Sequence, residues 1–453
     1  MYFLKFITIL NLSLLAVSAL AATDTPNVIL LLSDDAGYAD FGFQGDHRYV
    51  TPNLDQIAKN GVKFSNAYVT ASVCAPSRAG LLTGRYQNRF GFEFNLYGMK
   101  QSSLPVEKRG LALSESTLAD LMQDAGYATG IIGKWGLGQH PLLHPQERGF
   151  KEFFGILGDK SAYSPGKALQ VVSNYKSVNP KSLSYLTDTF GDEAVEFIER
   201  HQDEPFFLYL SFTAPHAPLQ GRSDYLKHYK NIFKTKRRAV NASMTQSMDE
   251  NIGKVIAKLK HLGLYENTII IFTNDNGGAL NKNGSSNAPL RGGKGTVFEG
   301  GVRSPFLIQW PSTLSKNQII DFPISTLDIL PTIVSATGGE LASDKIYDGV
   351  NLIPYLKGEI QKKPHDALFW RVNWAAAVRK ENWKLIRTPQ NKYLLFDLLK
   401  DSSEATNLSS SKPAIVSSLK KDLDAWEKTL APPLWVPHSM WKNRVSQKYE
   451  QAQ

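Results

Sequence analysis

Four apolar runs of strand length each end in a cluster of residues able to carry charge or hold a ligand, and this pattern constrains the fold most. The run Asn27 to Leu32 is followed by Ser33-Asp34-Asp35. Ala128 to Ile132 leads into Gly133-Lys134-Trp135-Gly136-Leu137-Gly138. Pro205 to Phe212 leads into Thr213-Ala214-Pro215-His216-Ala217-Pro218, and Thr268 to Phe272 into Thr273-Asn274-Asp275-Asn276-Gly277-Gly278. Runs without polar alternation suit strands buried on both faces. Helical segments separate them, which predicts an α/β fold with a large, mostly parallel sheet sandwiched by helices. Ligands in such folds bind beyond the carboxyl ends of the strands. Asp34, Asp35, Lys134, His216, Asp275 and Asn276 are therefore expected on one rim.

The intervening chain fills in the helices. Thr51 caps a short helix with Pro52 at its first position. Ser116-Thr117 caps another that carries Leu118, Leu121 and Met122 and closes at Gly126. Asp188 to Arg200 and Ala242 to Leu262 follow helical spacing, the second preceded by the basic stretch Lys227 to Arg238. Val62 to Val69 reads as one further strand, and the polar segment 156–190 as a loop region beside the rim. Near residue 350 the pattern changes. Leu368–Trp370, Ala375–Arg379, Trp383–Arg387 and Tyr393–Leu398 are short strands separated by turns. Pro413 then opens a helix with Ile415, Leu419, Leu423, Trp426 and Leu430 on one face. These features predict a main α/β domain over 22–349 and, over 350–453, a small antiparallel sheet with one packed helix and a terminal tail. Trp435 and Trp441 lie in that tail and are candidates either for packing or for stacking on sugar.

Residues 1–21 have the form of a secretory signal: Lys5, an apolar stretch from Phe6 to Leu20, and the small residues of Ala19-Leu20-Ala21. The apolar stretch is shorter than the roughly 20 residues a spanning helix needs, so no stable membrane anchor is expected. Export is the expectation, to the periplasm or the medium of a bacterium. One cysteine among 453 residues excludes an intramolecular disulfide. The net charge of +9 favours a polyanionic partner. Nucleic acid is the default polyanion, but no zinc-ligand spacing or RNA-binding motif is present, and none is expected to bind.

That single cysteine, Cys74, stands in Cys74-Ala75-Pro76-Ser77-Arg78, followed by Leu82-Thr83-Gly84-Arg85. A lone cysteine is usually a small buried hydrophobe. Here Pro76 suits the first turn of a helix, so Cys74 faces free backbone N–H groups and the positive end of the helix dipole, beside the fork of Arg78. C-x-P-S-R with the following L-T-G-R resembles the signature of the formylglycine-dependent sulfatases, whose fold is alkaline-phosphatase-like. The G-K-W segment at Lys134, the T-x-P-H-x-P segment at His216, the Asp275-Asn276 pair and Arg291-Gly292-Gly293-Lys294-Gly295 match the family in turn. The resemblance extends from Asn27 to about Leu408 and looks closest to bacterial polysaccharide sulfatases.

The resemblance implies a mechanism. Cys74 is oxidised by a maturation enzyme to 3-oxoalanine (formylglycine), and the aldehyde hydrate is the nucleophile. Asp34, Asp35, Asp275, Asn276 and residue 74 hold one divalent ion, with calcium expected from the all-oxygen ligand set. Lys134, Lys294 and Arg78 stabilise charge on the transferring group, and His216 assists the leaving group. Gly136 departs from the family pattern, because many members carry a histidine there that serves as a base. His140 and His144 are candidates to replace it or to meet substrate, as is Arg291. The expected substrate is a sulfated polysaccharide or its oligosaccharides, carrageenan or ulvan ahead of glycosaminoglycan. The alternatives are a phosphonate or phosphodiester hydrolase of the same fold, or a non-catalytic protein that binds sulfated glycan.

Overall fold

The computed structural model describes residues 25–96, 104–159, 161–372, 374–436 and 439–450, so the expected leader at 1–21 lies outside the described residues. Their main sheet has ten strands. In spatial order these are Gln318–Ile320, Val62–Phe64, Phe306–Gln309, Thr268–Asn274, Asn27–Ser33, Phe206–Ser211, Ala128–Lys134, Glu152–Ile156, Val172–Ser173 and Lys176–Ser177. The five strands from Thr268–Asn274 to Glu152–Ile156 are mutually parallel. Phe306–Gln309 runs antiparallel on one side and Val172–Ser173 on the other. The four runs picked out in the sequence are thus adjacent at the sheet centre. Register aligns their ends: Leu32 pairs with Ser211 and Thr273, and Gly133 also pairs with Ser211.

Both faces of these strands are buried, which accounts for the absence of polar alternation. Val28, Leu30 and Leu32 belong to one core cluster, which includes helix residues Ala75, Ala79, Leu118 and Met122. Ile29 and Leu31 belong to the other, with Phe190, Phe197, Met244, Met248 and Ile252. This is the two-residue period of a strand feeding two helical layers. Each fully buried side chain of this kind contributes roughly 1.5–3 kcal/mol.

Downstream, the strands Ala367–Val372, Ala375–Lys380, Trp383–Arg387 and Tyr393–Asp397 form an antiparallel sheet in sequence order. The helix Pro413–Glu427 covers one face through Leu419, Leu423 and Trp426, packed with Val378, Leu385 and Leu395. Trp370, Ile386 and Phe396 on the other face merge with the main core. Among the described residues no helix is long and apolar enough to cross a membrane.

Four local expectations change. The expected strand Val62 to Val69 is two: Val62–Phe64 in the main sheet, and Ala67–Tyr68 paired with Ile324–Ser325. The chain leaves the sheet at Ser65-Asn66, where the Asn66 amide donates to the Asp321 carbonyl. Segment 156–190 is not loop throughout. It adds a hairpin to the sheet edge, turning at Asn174 in the left-handed region (φ 53°). The expected helix Ala242 to Leu262 begins six residues earlier, at Lys236, behind Thr235, whose side chain accepts from the Arg238 N–H. The tail forms a helix, Ser439–Glu450, and Trp435 is a packing residue: it is buried, edge-on to Phe92, and its indole N–H donates to the Phe94 carbonyl.

Candidate active site

Cys74 is the first residue of the helix Cys74–Thr83, every residue of which is buried. The preceding Val73 is extended, so the chain enters the helix at the cysteine, and Gly84 in the left-handed conformation (φ 63°) ends it. Sγ therefore lies at the positive end of a helix dipole. It is 3.5 Å from Asp34 Oδ1, 3.8 Å from Asp35 Oδ1 and 3.0 Å from Lys294 Nζ. Burial, and then the charge of Asp275, push the thiol well above its ordinary value, so the unmodified side chain is a protonated thiol.

The surrounding charges come from the strand ends, from Arg78 in the helix itself and from the loop that carries Lys294. Lys134 Nζ lies 2.7 Å from Asp34 Oδ2. Arg78 holds Asp275 Oδ2 from Nε (3.1 Å) and Nη2 (3.0 Å), and its Nη1 donates to Ser211 Oγ and to the Lys134 carbonyl. Lys294 Nζ donates to both Asp35 oxygens, at 2.6 and 2.8 Å. Asp34, Arg78 and Lys134 are wholly buried. Three carboxylates and three cations in such a space are tolerable only as a paired network.

The pairing is unequal. Burial would raise Asp35, but Lys294 and then His216 hold its carboxyl well below the usual range. Asp275 is pushed up to about 6 by burial and by neighbouring Asp34, more than Arg78 and Lys134 offset. His216 is held down to about 4, chiefly by burial. Its Nδ1 lies 2.6 Å from the Ala217 carbonyl, which leaves Nε2 facing Asp35 Oδ2 at 3.5 Å.

The donor set fits a hard cation. Ligand atoms of Asp34, Asp35, Cys74 and His216 all lie within 4.8 Å of one another. Asn276 donates its amide N–H to Asp35 Oδ1 at 2.7 Å, while its own Oδ1 is buried with no hydrogen-bond partner among the described residues. A buried acceptor without a donor costs about 1–3 kcal/mol unless something else satisfies it. Asn276 Oδ1 and the carboxylates of Asp34, Asp35 and Asp275 are oxygen groups of the kind that could hold a hard cation.

Several residues that shape this site escaped the sequence reading. Ser211, the last residue of its strand, receives Arg78 and donates to the Lys134 carbonyl. Asn274 joins two rim segments: its Oδ1 accepts from Ser33 Oγ and Ala36 N. Asn283 donates to the carbonyls of Asp35 and Pro215. Tyr163 donates from its hydroxyl to the carbonyls of Thr213 and His216, tying segment 156–190 to the histidine loop. A polar residue closing an apolar strand was a usable signal for Ser211 and Asn274. For Asn283 and Tyr163 no sequence signal existed.

The remaining expected residues lie elsewhere. Among the described residues His140 and His144 make no hydrogen bond, ion pair or ring contact with this cluster. Each accepts a backbone N–H at Nδ1 in a one-turn helix, and the His144 ring stacks on Tyr175. Arg291 turns to the C-terminal sheet, where it donates to the Glu404 carbonyl and lies over Phe298. Gly136 has φ +73°, a conformation that favours glycine over histidine, and the nearest atoms to a Cβ there would be Lys134 Cε at 3.4 Å, Asp159 Oδ1 at 3.9 Å and Lys134 Cγ at 3.9 Å.

Comparison with known proteins places this arrangement. The family model Sulfatase matches residues 26–339, and the model N-sulphoglucosamine sulphohydrolase, C-terminal, matches 293–429. The chain is 35% identical to N-acetylgalactosamine-6-sulfatase of Mus musculus over 396 residues, covering 83% of this chain and 74% of that one. The crystal structure of Ps i-CgsB in complex with k-i-k-neocarrahexaose superposes with a TM-score of 0.85 at 33% identity, covering 94% of this chain and 98% of that one. PsFucS1 sulfatase from Pseudoalteromonas sp. gives a TM-score of 0.76 at 25% identity, covering 89% and 90%.

Proposed function

The chain belongs to the sulfatase family and is a sulfuric ester hydrolase, and from that premise we propose that it desulfates a polymeric glycan, an algal one of carrageenan or ulvan type ahead of a glycosaminoglycan. The carrying observation is Cys74 Sγ at the start of a buried helix, within 4 Å of Asp34, Asp35 and Lys294 on one rim of the sheet. Likeness over nearly the whole chain to a sulfatase fold bound to a neocarrahexaose supports the algal preference. Export, through the leader at 1–21, accords with a substrate too large to enter a cell.

In this reading residue 74 is matured from cysteine to formylglycine by a dedicated enzyme, which replaces an inert thiol with a hydrated aldehyde carrying two hydroxyls: one to attack sulfur, one to release sulfate. Asp34, Asp35, Asp275 and Asn276 would hold calcium together with residue 74. The ion would supply fixed positive charge for the sulfate and would lower the pKa of the bound hydrate. It would also satisfy Asn276 Oδ1 and keep Asp275 ionised.

The chain's own residues do the rest. Lys294, already 3.0 Å from Sγ, holds an oxygen of an ester brought to residue 74, and Lys134 holds another from the Asp34 side. Both ammonium groups are poised for charge that develops in the transition state. Arg78 does not reach outward. It fixes Asp275 and, through Ser211, the ends of two strands. His216 gives its Nε2 proton to the departing sugar oxygen. An arriving sulfate ester raises the proton affinity of that imidazole, because a nearby opposite charge favours its charged form.

The test is sulfate release from defined carrageenan, ulvan and glycosaminoglycan oligosaccharides by the matured enzyme, with phosphate esters assayed alongside. Release from the algal oligosaccharides above all others supports the proposal. A faster rate on phosphate esters, or on glycosaminoglycan, refutes it.

A further inference from the structure

The C-terminal helix Ser439–Glu450 does more than pack. Val445 and Tyr449 are buried on its inner side, and the Tyr449 hydroxyl accepts from the Val297 N–H at 2.7 Å. Tyr449 also stacks on Phe298 with 5.0 Å between ring centroids. Trp441 lies over Gly295, where a Cβ would come within 3.1 Å of the indole. The helix is therefore clamped against segment 294–298, whose first residue sends its ammonium to Asp35 and Cys74.

The outer side of this clamp is strongly cationic. Lys448 donates to the Lys294 carbonyl at 3.3 Å, so its ammonium sits on the backbone of an active-site residue. Arg444, one turn earlier, is exposed and makes no ion pair or hydrogen bond among the described residues. Lys282 reaches in from the neighbouring loop and lies 5.3 Å from the Trp441 ring centroid. The same loop carries Asn281, whose carbonyl accepts from Arg237, and Asn283, which bonds the Asp35 carbonyl. Partial burial and the like charges of Lys282 and Arg444 hold the Lys448 ammonium below its ordinary value. The indole N–H of Trp441 also lacks a partner among the described residues.

We propose that Lys282, Arg444 and Lys448, arranged around Trp441, form a second anion-binding subsite that seats a sulfate group of the polymer one or more sugars away from the ester being cleaved. The proposal rests on the glycan reading above and makes it specific. Trp441 holds Lys282 over its ring, and the cations set how the sulfated chain is threaded past Lys294. An enzyme built this way favours densely sulfated polymer over a small ester bearing one sulfate, and the preference weakens as salt rises.

The triple variant K282Q/R444Q/K448Q tests this in the full-length matured enzyme. The measured quantity is kcat/KM on iota-carrageenan divided by kcat/KM on para-nitrophenyl sulfate. A fall in that ratio of at least tenfold, carried by KM and reversed in K282R/K448R with Arg444 retained, supports the subsite. A ratio within twofold of wild type overturns it. Elution from a dextran sulfate column in a salt gradient is the arm that needs no turnover, so it still decides if the enzyme cleaves neither substrate and the carrageenan reading itself has failed. Markedly earlier elution of the triple variant supports the subsite, and unchanged elution overturns it. Tighter retention of the wild type on double-stranded DNA than on dextran sulfate overturns the assignment to glycan.

Discussion

Replacing Lys384 by methionine should loosen the C-terminal sheet and disturb the active site at a distance. Lys384 Nζ lies 2.7 Å from Glu299 Oε1 and 3.0 Å from Glu404 Oε1, and all three side chains are wholly buried. Removing the cation leaves two buried carboxylates with no compensation from it. Breaking a buried ion pair in this way costs about 3–5 kcal/mol. At about 2–4 °C per kcal/mol for a sizeable domain, the melting temperature should fall by about 10 °C. The pH dependence carries the sharper signature. Burial pushes Glu404 up to about 7 against an ordinary 4.5, so it binds its proton more tightly folded than unfolded. It therefore withdraws stability as pH rises from about 4.5 to about 7. Glu299, which burial would raise but Lys384 and Arg303 pull down to about 2, adds stability above pH 4.5 that is lost as pH falls toward 2. Without Lys384 both carboxyls rise, so the deficit of the variant should be larger at pH 8 than at pH 5. Activity should also fall, because Glu404 Oε2 accepts the Glu299 N–H and its carbonyl accepts Arg291, which together brace the segment that carries Lys294. Thermal unfolding of both proteins at the two pH values decides. A loss below about 1 kcal/mol, or a deficit that does not grow with pH, refutes the reasoning.

Other perturbations read other parts of the account. His216→Ala should lower turnover of sugar sulfates about 10²- to 10⁴-fold, with a smaller loss on aryl sulfates whose leaving group needs no proton; equal losses on both would remove His216 as the acid. Chelation followed by dialysis should lower both activity and melting temperature, with calcium restoring them and Asp275→Asn blunting the response; unchanged stability on verified metal removal would contradict the site. His140→Ala and His144→Ala should each retain turnover within a few-fold, since their Nδ1 atoms cap turns and neither contacts the cluster; a loss of 10² or more would return the base role to them. Leu208→Ala, at a wholly buried central position of the sheet, should cost about 2–5 kcal/mol in denaturant unfolding without changing KM; a loss under 1 kcal/mol would mean the site collapses around the cavity.

The central sheet and its ligand rim were legible in the sequence because strands buried on both faces cannot hide. Val28 to Leu32 and Ile269 to Phe272 have no polar interruption, and the polar residues after each run must lie at its carboxyl end. The edges were not legible. Val172–Ser173 and Lys176–Ser177 are two residues each and polar, so the hairpin exists through its turn at Asn174 and the neighbouring strand Glu152–Ile156 rather than through its own pattern. Arg291 shows the limit for side chains. Its place in Arg291-Gly292-Gly293-Lys294 suggested a role beside Lys294, yet it turns to the Glu404 carbonyl, a partner 113 positions away. Asn283 and Tyr163 orient the rim through bonds to backbone carbonyls, which leave no mark on sequence spacing. Gly136 was readable as a departure from the family, but its left-handed backbone was not.

The most direct test of the account is a titration of maturation against rate. Preparations with different degrees of conversion at residue 74 are digested, and the fraction of peptide bearing aldehyde instead of thiol is read by mass spectrometry. The same preparations are assayed for sulfate release from carrageenan oligosaccharides. The account predicts a rate proportional to the aldehyde fraction, passing through zero where Cys74 is unmodified. Full activity in a preparation that carries only cysteine at position 74 would contradict it.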